Sequence, residues 1–169
     1  MIFSYFTSLF ILGQIEGGIK TFYDLDNEVS QQMLTPVAKI AKFIYDKGKS
    51  ILKLEGNISV NDTQNNVKIF TNKINYFKKK EIIIAEKKVR SEIKGKYIID
   101  SAELIFDRNL LEISSSNKTI LKDNFENIFS SDNFLFRIKE DILNAENLNL
   151  KDGENNDLFL ENAIVDLNK

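Results

Sequence analysis

The chain has 169 residues, of which 43% are hydrophobic and 28% charged, so it is long and apolar enough to form one globular domain with a buried core. Its formal net charge of −2 at pH 7 provides no basic field for phosphate backbones, which argues against nucleic-acid binding. It contains no histidine and no cysteine, and therefore lacks the usual general base, the common catalytic nucleophile systems and the commonest zinc ligands. An enzyme of this composition would have to work with carboxylates, Lys, Arg or Tyr, and nothing in the sequence places two carboxylates across a cleft. We expect a protein that is not an enzyme and that holds neither a metal nor a cofactor.

The N-terminus begins with an uncharged apolar run, Met1 to Leu12, that is too short to span a bilayer. Its length fits the apolar region of a secretory signal, but no Lys or Arg precedes it and no clear small-x-small cleavage site follows. A degenerate signal and a structured strand both remain open. We expect residues 1–37 to be an N-terminal segment and residues 38–169 to be the folded domain.

From Ala41 onward the sequence repeats itself every 30 or 31 residues. Units begin at Ala41, Asn72, Ala102 and Asp132, and a partial fifth unit begins at Asn162. A fixed period of this kind is the signature of a repeat architecture, in which neighbouring units bury a shared interior.

Each unit carries apolar columns at fixed places. The columns lie two, four and eleven positions after the start of the unit, and they contain Phe43, Ile74, Leu104 and Phe134; Tyr45, Tyr76, Phe106 and Phe136; and Leu52, Ile83, Ile113 and Leu143. Side chains two apart share one face of a strand, and polar, turn-compatible residues separate the second column from the third. The pattern predicts a strand, a hairpin turn and a second strand.

A further polar stretch and a fourth column, with Val67, Ile98, Ile128 and Leu158, predict a third strand in each unit. The fold class is therefore all-β, with about four 30-residue, three-strand repeats. A jelly roll and a β-solenoid both fit this pattern. Irregular, charged corners and an interior rich in Phe and Tyr favour the jelly roll.

Residues Ala41 to Lys169 resemble the OstA-like repeat region shared by the lipopolysaccharide-transport proteins LptA, LptC and LptD. The resemblance is carried by LKLEGNISVND (Leu52 to Asp62), KINYFKKKEIIIAEKKV (Lys73 to Val89), KYIIDSAELIFDRN (Lys96 to Asn109) and KTILKDNFENIFSSDNFLF (Lys118 to Phe136). Within the family, the run from Thr119 to Phe129 is most similar to the N-terminal periplasmic domain of LptD-type members, with LptA-type members next.

This resemblance implies a β-jelly roll that carries the lipid A acyl chains of lipopolysaccharide in an apolar groove, in the periplasm or at the periplasmic face of the outer membrane. It also implies that partners of the same fold join edge to edge. The twelve residues of the three columns are then candidates for the lipid groove, since each buried CH₂ contributes about 0.8 kcal/mol.

The alternative interpretation of the same columns is a dry, packed core, because a periodic apolar stripe is normally the packed face of its strand. A structural β-solenoid module of a surface or fibre protein would use them in this way. The two functions differ in whether the folded domain takes up an apolar ligand.

Overall fold

The computed structural model describes residues 9–15, 19–24, 44–46, 50–154 and 156–168; in the first three ranges the description covers the backbone. The strands in this part of the chain are β1 Leu9–Ile15, β2 Ile19–Asp24, β3 Ile44–Asp46, β4 Ile51–Asp62, β5 Val67–Phe77, β6 Ile82–Ile93, β7 Tyr97–Asp107, β8 Glu112–Ser115, β9 Thr119–Lys122, β10 Ile128–Ser131, β11 Asn133–Arg137, β12 Ile142–Lys151 and β13 Asp157–Asp166. The helical content of these residues is one 3-10 turn, Lys78–Lys80. They include no helix with the length and apolar character needed to cross a membrane.

The long strands form because buried and solvent-facing residues alternate along them. In β7, Leu104 and Phe106 are buried, while Ile105 and Asp107 between and after them are more exposed. Side chains in a strand point alternately to opposite faces, so one face of β7 is apolar and packs inward. The same alternation recurs in β4, β5, β6 and β12.

All strands belong to one antiparallel sheet, which is bent across its middle. Neighbouring strands follow the order β2-β1-β4-β5-β6-β7-β8-β11-β12-β10-β9. Off this path, β3 pairs with β4 and β13 pairs with β12, and β7 also pairs with β9. Register shifts interrupt the pairing at Glu55–Ile58 and Glu86–Val89, and further along the same bend the strands break between β8 and β9 and between β10 and β11. Such bulges kink a strand, so each long strand contributes one part to each side of the bend.

We call the two sides half-sheet A and half-sheet B. Half-sheet A contains residues 51–55, 73–77, 82–86, 103–107, 112–115, 133–137, 142–146 and 162–166. Half-sheet B contains residues 58–62, 67–71, 89–93, 97–101, 119–122, 128–131, 148–151 and 157–160. The buried residues of both half-sheets form one hydrophobic cluster, so the inner faces pack against each other in a folded jelly roll.

The 30-residue period is visible in the turns at the outer end of half-sheet A. Ser50, Glu81, Leu111 and Asp141 all have positive φ, and they follow one another every 30 or 31 residues. Each carbonyl accepts a backbone hydrogen bond from the next turn along the sheet, for example Arg108 N to Glu81 O at 3.0 Å. Successive hairpins therefore stack in register, and the prediction of a repetitive all-β jelly roll is confirmed.

The strands join differently at the unit boundaries from the way the sequence suggested. Between the third and fourth units, a break at Asp132 separates β10 from β11. At the other described boundaries, the third strand of one unit and the first strand of the next form one continuous strand, as in β5, where Val67 and Tyr76 share a single run. No turn residue separates them, and only a register shift between Phe70 and Lys73 marks the bend. The N-terminal segment also contributes to the sheet, because β1 pairs with β4 over residues 57–62. The domain division at residue 37 stays a prediction.

Candidate functional site: the apolar interior

The inner face of half-sheet A carries most of the residues that the repeat columns identified. Neighbouring strands place Leu52, Tyr76, Ile83, Phe106, Ile113, Phe136 and Leu143 opposite one another in a single cross-strand row. The adjacent row contains Ile74, Leu104 and Phe134. All ten side chains are 3% exposed or less. The repeat columns therefore correspond to one continuous apolar wall.

Two of the twelve candidates cannot be placed in this way. Phe43 lies outside the described residues. Tyr45 lies in β3, and its backbone pairs with Leu52, at the end of the same row. Whether any of the twelve contacts lipid stays a prediction.

Half-sheet B supplies the opposite wall, which the fourth sequence column identified only in part, through Val67 and Leu158. Its inner row runs through Val60, Ile69, Ser91, Ile99, Leu121 and Phe129. The fourth column included Ile98 and Ile128, but these are half-buried, whereas their neighbours Ile99 and Phe129 are buried. A one-residue error in phase reverses the face of every side chain in a strand. Following the alternation from Tyr97 to Ile99 would have identified the correct residues.

Among the described residues, the interior is left uncovered at the end of the sheet formed by β13. Leu158 and Leu160 of β13 pair with Leu150 and Leu148 of β12, so they share the inward face. Leu148 is fully buried, but Leu158 is 50% exposed and Leu160 is 36% exposed, since β13 is an edge strand with no described neighbour on its other side. This end therefore presents apolar side chains and unpaired backbone groups together.

The long edge opposite the bend is closed by charged groups, and we call it the seam. The seam comprises Asp62, Glu81, Lys94, Arg108 and Asp141, which lie where the outer turns of the two half-sheets meet. The Nε atom of Arg108 donates to Oδ2 of Asp62 at 2.9 Å, and its Nη1 donates to Glu81. Asp62 is fully buried, and the Arg108 side chain is only 9% exposed.

A second ion pair lies further along the seam. Lys94 donates to Oδ1 of Asp141 at 2.7 Å, and beside it the Tyr97 and Phe136 rings meet edge to face with centroids 5.1 Å apart. The Lys94–Asp141 and Tyr97–Phe136 contacts both join half-sheet A to half-sheet B. Together with the Arg108–Asp62 pair, they hold the interior closed along the seam.

Burial and charge shift the pKa values of Arg108 and of two tyrosines beside the seam. Burial alone would lower the pKa of Arg108, but the hydrogen bond and charge of Asp62, together with Glu81, raise it above its ordinary value. Burial, and then the Glu81 charge and hydrogen bond, raise the pKa of the Tyr76 hydroxyl. Burial, and then the charges of Asp141 and Asp123, raise the pKa of Tyr97 to about 12. Arg108 is therefore a permanent cation in a nearly dry setting.

The interior also contains hydroxyl groups close to the bend. Ser101 is hydrogen-bonded to Thr119 at 3.0 Å and to Ser115 at 3.2 Å. The hydroxyls of Ser91 and Ser131 are buried and make no hydrogen bond to any described residue. Residues 50–154 and 156–168 contain no cluster of acidic side chains suited to a metal ion. The chemistry that this arrangement offers is burial of apolar groups.

An antiparallel β-jelly roll, bent around an apolar interior that is closed along one seam and open at one end, defines the fold class of the chain. Among solved structures it is similar to the crystal structure of LptH from Pseudomonas aeruginosa, the LptA homologous periplasmic component of the conserved lipopolysaccharide transport device. The match has a TM-score of 0.54 and 14% sequence identity, and it covers 62% of this chain and 77% of the LptH chain. The chain thus has an LptA-like β-jelly-roll fold.

Sequence comparisons add nothing to this likeness. No protein-family model matches the chain, and no curated protein matches it significantly.

Proposed function

We propose that this chain is a non-enzymatic lipopolysaccharide transport or assembly domain of the OstA-like family, which carries lipid A acyl chains in its apolar jelly-roll interior. The observation that supports the proposal best is an interior with two apolar walls, at one end of which no described residue covers Leu158 and Leu160. The similar fold of LptH, a periplasmic transport component, also supports it.

The open edge strand suggests how partners join. Another OstA-like jelly roll that adds a strand to β13 satisfies the unpaired backbone groups and extends the interior from one protein into the next. Repeated head-to-tail addition of this kind gives an open chain instead of a closed dimer. The resemblance of residues 119–129 favours an LptD-type role, and an LptA-type bridge is the alternative. Either role places the domain in the periplasm or at the periplasmic face of the outer membrane.

A structural module with a dry core is the second candidate, and the near-complete burial of the ten half-sheet A side chains favours it. A fully packed interior leaves no room for acyl chains unless the half-sheets separate or side chains rearrange. The two candidates therefore differ in whether lipid reaches the inner wall.

Photo-crosslinking distinguishes lipid carriage from a dry core. A photoreactive phenylalanine analogue is placed at Phe106 on the inner wall, at Leu160 at the open end, or at Lys79 on an exposed turn, and each folded protein is irradiated with lipopolysaccharide. Lipid carriage predicts crosslinks at Phe106 and Leu160 but not at Lys79. Crosslinks absent from both inward positions in a folded sample would support the dry core.

A further inference from the structure

A concavity of about 460 Å³ lies on the outer face of half-sheet B, beside the bend and away from the apolar interior. Its lining includes Lys88, Arg90 and Lys118, together with Ala102 and Ile120 at its floor. All three cationic side chains are exposed. A pocket with a small apolar floor and a cationic rim fits an anion.

The strand pairing explains how the cations converge. Val89 pairs with Ser101 and Ser101 pairs with Thr119, so Lys88 and Lys118 flank the short side chain of Ala102 from the two neighbouring strands. Strands two places apart are separated by about 10 Å, and the flexible four-carbon stems of lysine allow both ammonium groups to reach a single group above Ala102.

The charges of the site leave a surplus of about two positive units. Asp100 lines the same concavity and meets Arg90 at 3.4 Å, an exposed and long contact. Lys88 and Lys118 make no ion pair with any residue in the described part of the chain. A phosphate monoester, with a charge of about −1.5 to −2 at pH 7, balances this surplus.

The backbone at the bend of β6 places lysines where other strands have different residue types. Where other strands bend, the positive-φ positions are occupied by Gly56 and Asn147, residue types that adopt this conformation easily. In β6 the bend instead uses two lysines, Lys87 with φ 65° and Lys88 with φ 63°. Of these two lysines, Lys88 lines the concavity.

We propose that the concavity formed by Lys88, Arg90 and Lys118 is a binding site for a phosphate group. This goes beyond the proposed function, because the site lies on the outer face and takes the polar part of a ligand, whereas the proposed lipid path is the apolar interior. The phosphate reaches the site either on a lipid headgroup or as a free ion.

The test follows backbone amide NMR shifts at residues 88, 102 and 118 at a fixed 150 mM salt. Two probes are titrated separately, inorganic phosphate and monomeric dihexanoyl phosphatidic acid, with dihexanoyl phosphatidylcholine as the neutral-headgroup control. The double variant Lys88→Gln/Lys118→Gln is compared with Lys79→Gln/Lys80→Gln, which removes the same charge from an exposed turn. All four lysines are solvent-exposed, so both variants retain the fold.

We expect saturable shifts at these three amides, an affinity at least about tenfold weaker in Lys88→Gln/Lys118→Gln, and an affinity within about twofold of the parent in the control variant. Tenfold tighter binding of phosphatidic acid than of inorganic phosphate identifies a lipid headgroup, and equal binding identifies free phosphate. Absent shifts, or equal weakening in both double variants, would overturn the site. Neither result depends on crosslinking at Phe106, so this proposal and the proposed function can fail separately.

Discussion

The guanidinium of Arg108 lies 2.9 Å from the carboxylate of Asp62, although 46 residues separate them in the chain. Arg108 follows β7 at the outer end of half-sheet A, and Asp62 ends β4 at the outer end of half-sheet B. Their contact therefore joins the two half-sheets at the edge opposite the bend. A fully buried carboxylate with an arginine partner is costly to leave unpaired, which makes this contact a strong constraint on the closed seam.

Replacing Arg108 with Met removes the charge but keeps much of the side-chain volume. We expect Arg108→Met to lower the free energy of unfolding by about 3 kcal/mol, because Asp62 is left as a buried charge that accepts from the backbone N–H and side-chain amide of Asn65 but has lost its cationic partner. Urea unfolding followed by circular dichroism measures the change.

The matched control is Arg90→Met, which breaks the exposed Arg90–Asp100 pair, whose side chains are 48% and 40% exposed. It should cost less than about 1 kcal/mol. The double variant Asp62→Asn/Arg108→Met should be more stable than Arg108→Met alone. Equal losses in the two single variants would show that the seam pair is no more important than a surface pair.

The sequence predicted the parts of this fold that depend on local periodicity. The 30-residue repeat, the all-β class and the wall from Leu52 to Leu143 all follow from apolar columns, since each column is the inward face of a strand. Half-sheet B was harder to predict because its strands continue directly into those of half-sheet A. The turn between β4 and β5 has four residues and the turn between β6 and β7 has three, so a column of fixed spacing that includes the buried Val67 reaches Ile98 in β7 instead of the buried Ile99.

The seam could not be predicted from local patterns. Asp62 ends a strand, and Arg108 and Asp141 stand in turns, where charged residues are ordinarily solvated. Their pairing depends on how the whole sheet bends. The outer-face cluster of Lys88 and Lys118 also requires the pairing of β6, β7 and β9. Such relationships belong to tertiary structure.

The buried hydroxyl of Ser91 lies in a row of aliphatic residues with no hydrogen-bond partner among the described residues. Removing it should remove an unfavourable desolvation, so we expect Ser91→Ala to raise the free energy of unfolding by about 1 kcal/mol. Ser101→Ala is the control, since it breaks the hydrogen bonds to Thr119 and Ser115 and should lower stability by about 1 kcal/mol. A loss of stability in both variants would indicate that Ser91 has a bonding partner.

The raised pKa of Tyr97 predicts alkaline destabilisation. In the folded protein its pKa is about 12, whereas the model-compound value is 10.0, so between these pH values the unfolded chain releases the phenolic proton and the folded chain retains it. Stability is therefore fully present below pH 10 and falls as the pH rises to 12. Urea unfolding between pH 10 and pH 12 should show that the free energy of unfolding falls less steeply with pH in Tyr97→Phe than in the parent. The same dependence of unfolding free energy on pH in both proteins would contradict the raised pKa of Tyr97.

The open end provides the sharpest test of lipid carriage, because adjacent residues of β13 face opposite sides of the sheet. Leu160 shares the inward face with Leu148, and Phe159 lies outward, opposite Asn149. A carboxylate at residue 160 places a charge where an acyl chain or partner strand would pass, and burying it is costly. We expect Leu160→Asp to reduce both lipopolysaccharide crosslinking at Phe106 and binding of an LptA-type partner by about tenfold.

Phe159→Asp is the control, since it adds the same charge one residue away, at a side chain that is 61% exposed on the other face. It should leave both readouts close to those of the parent. Because Leu160 is itself 36% exposed, both variants should unfold at nearly the parental urea concentration. Equal effects of the two substitutions would mean that any charge on the edge strand weakens crosslinking and partner binding, whichever face it lies on. That outcome would argue against a lipid path continuing through this end.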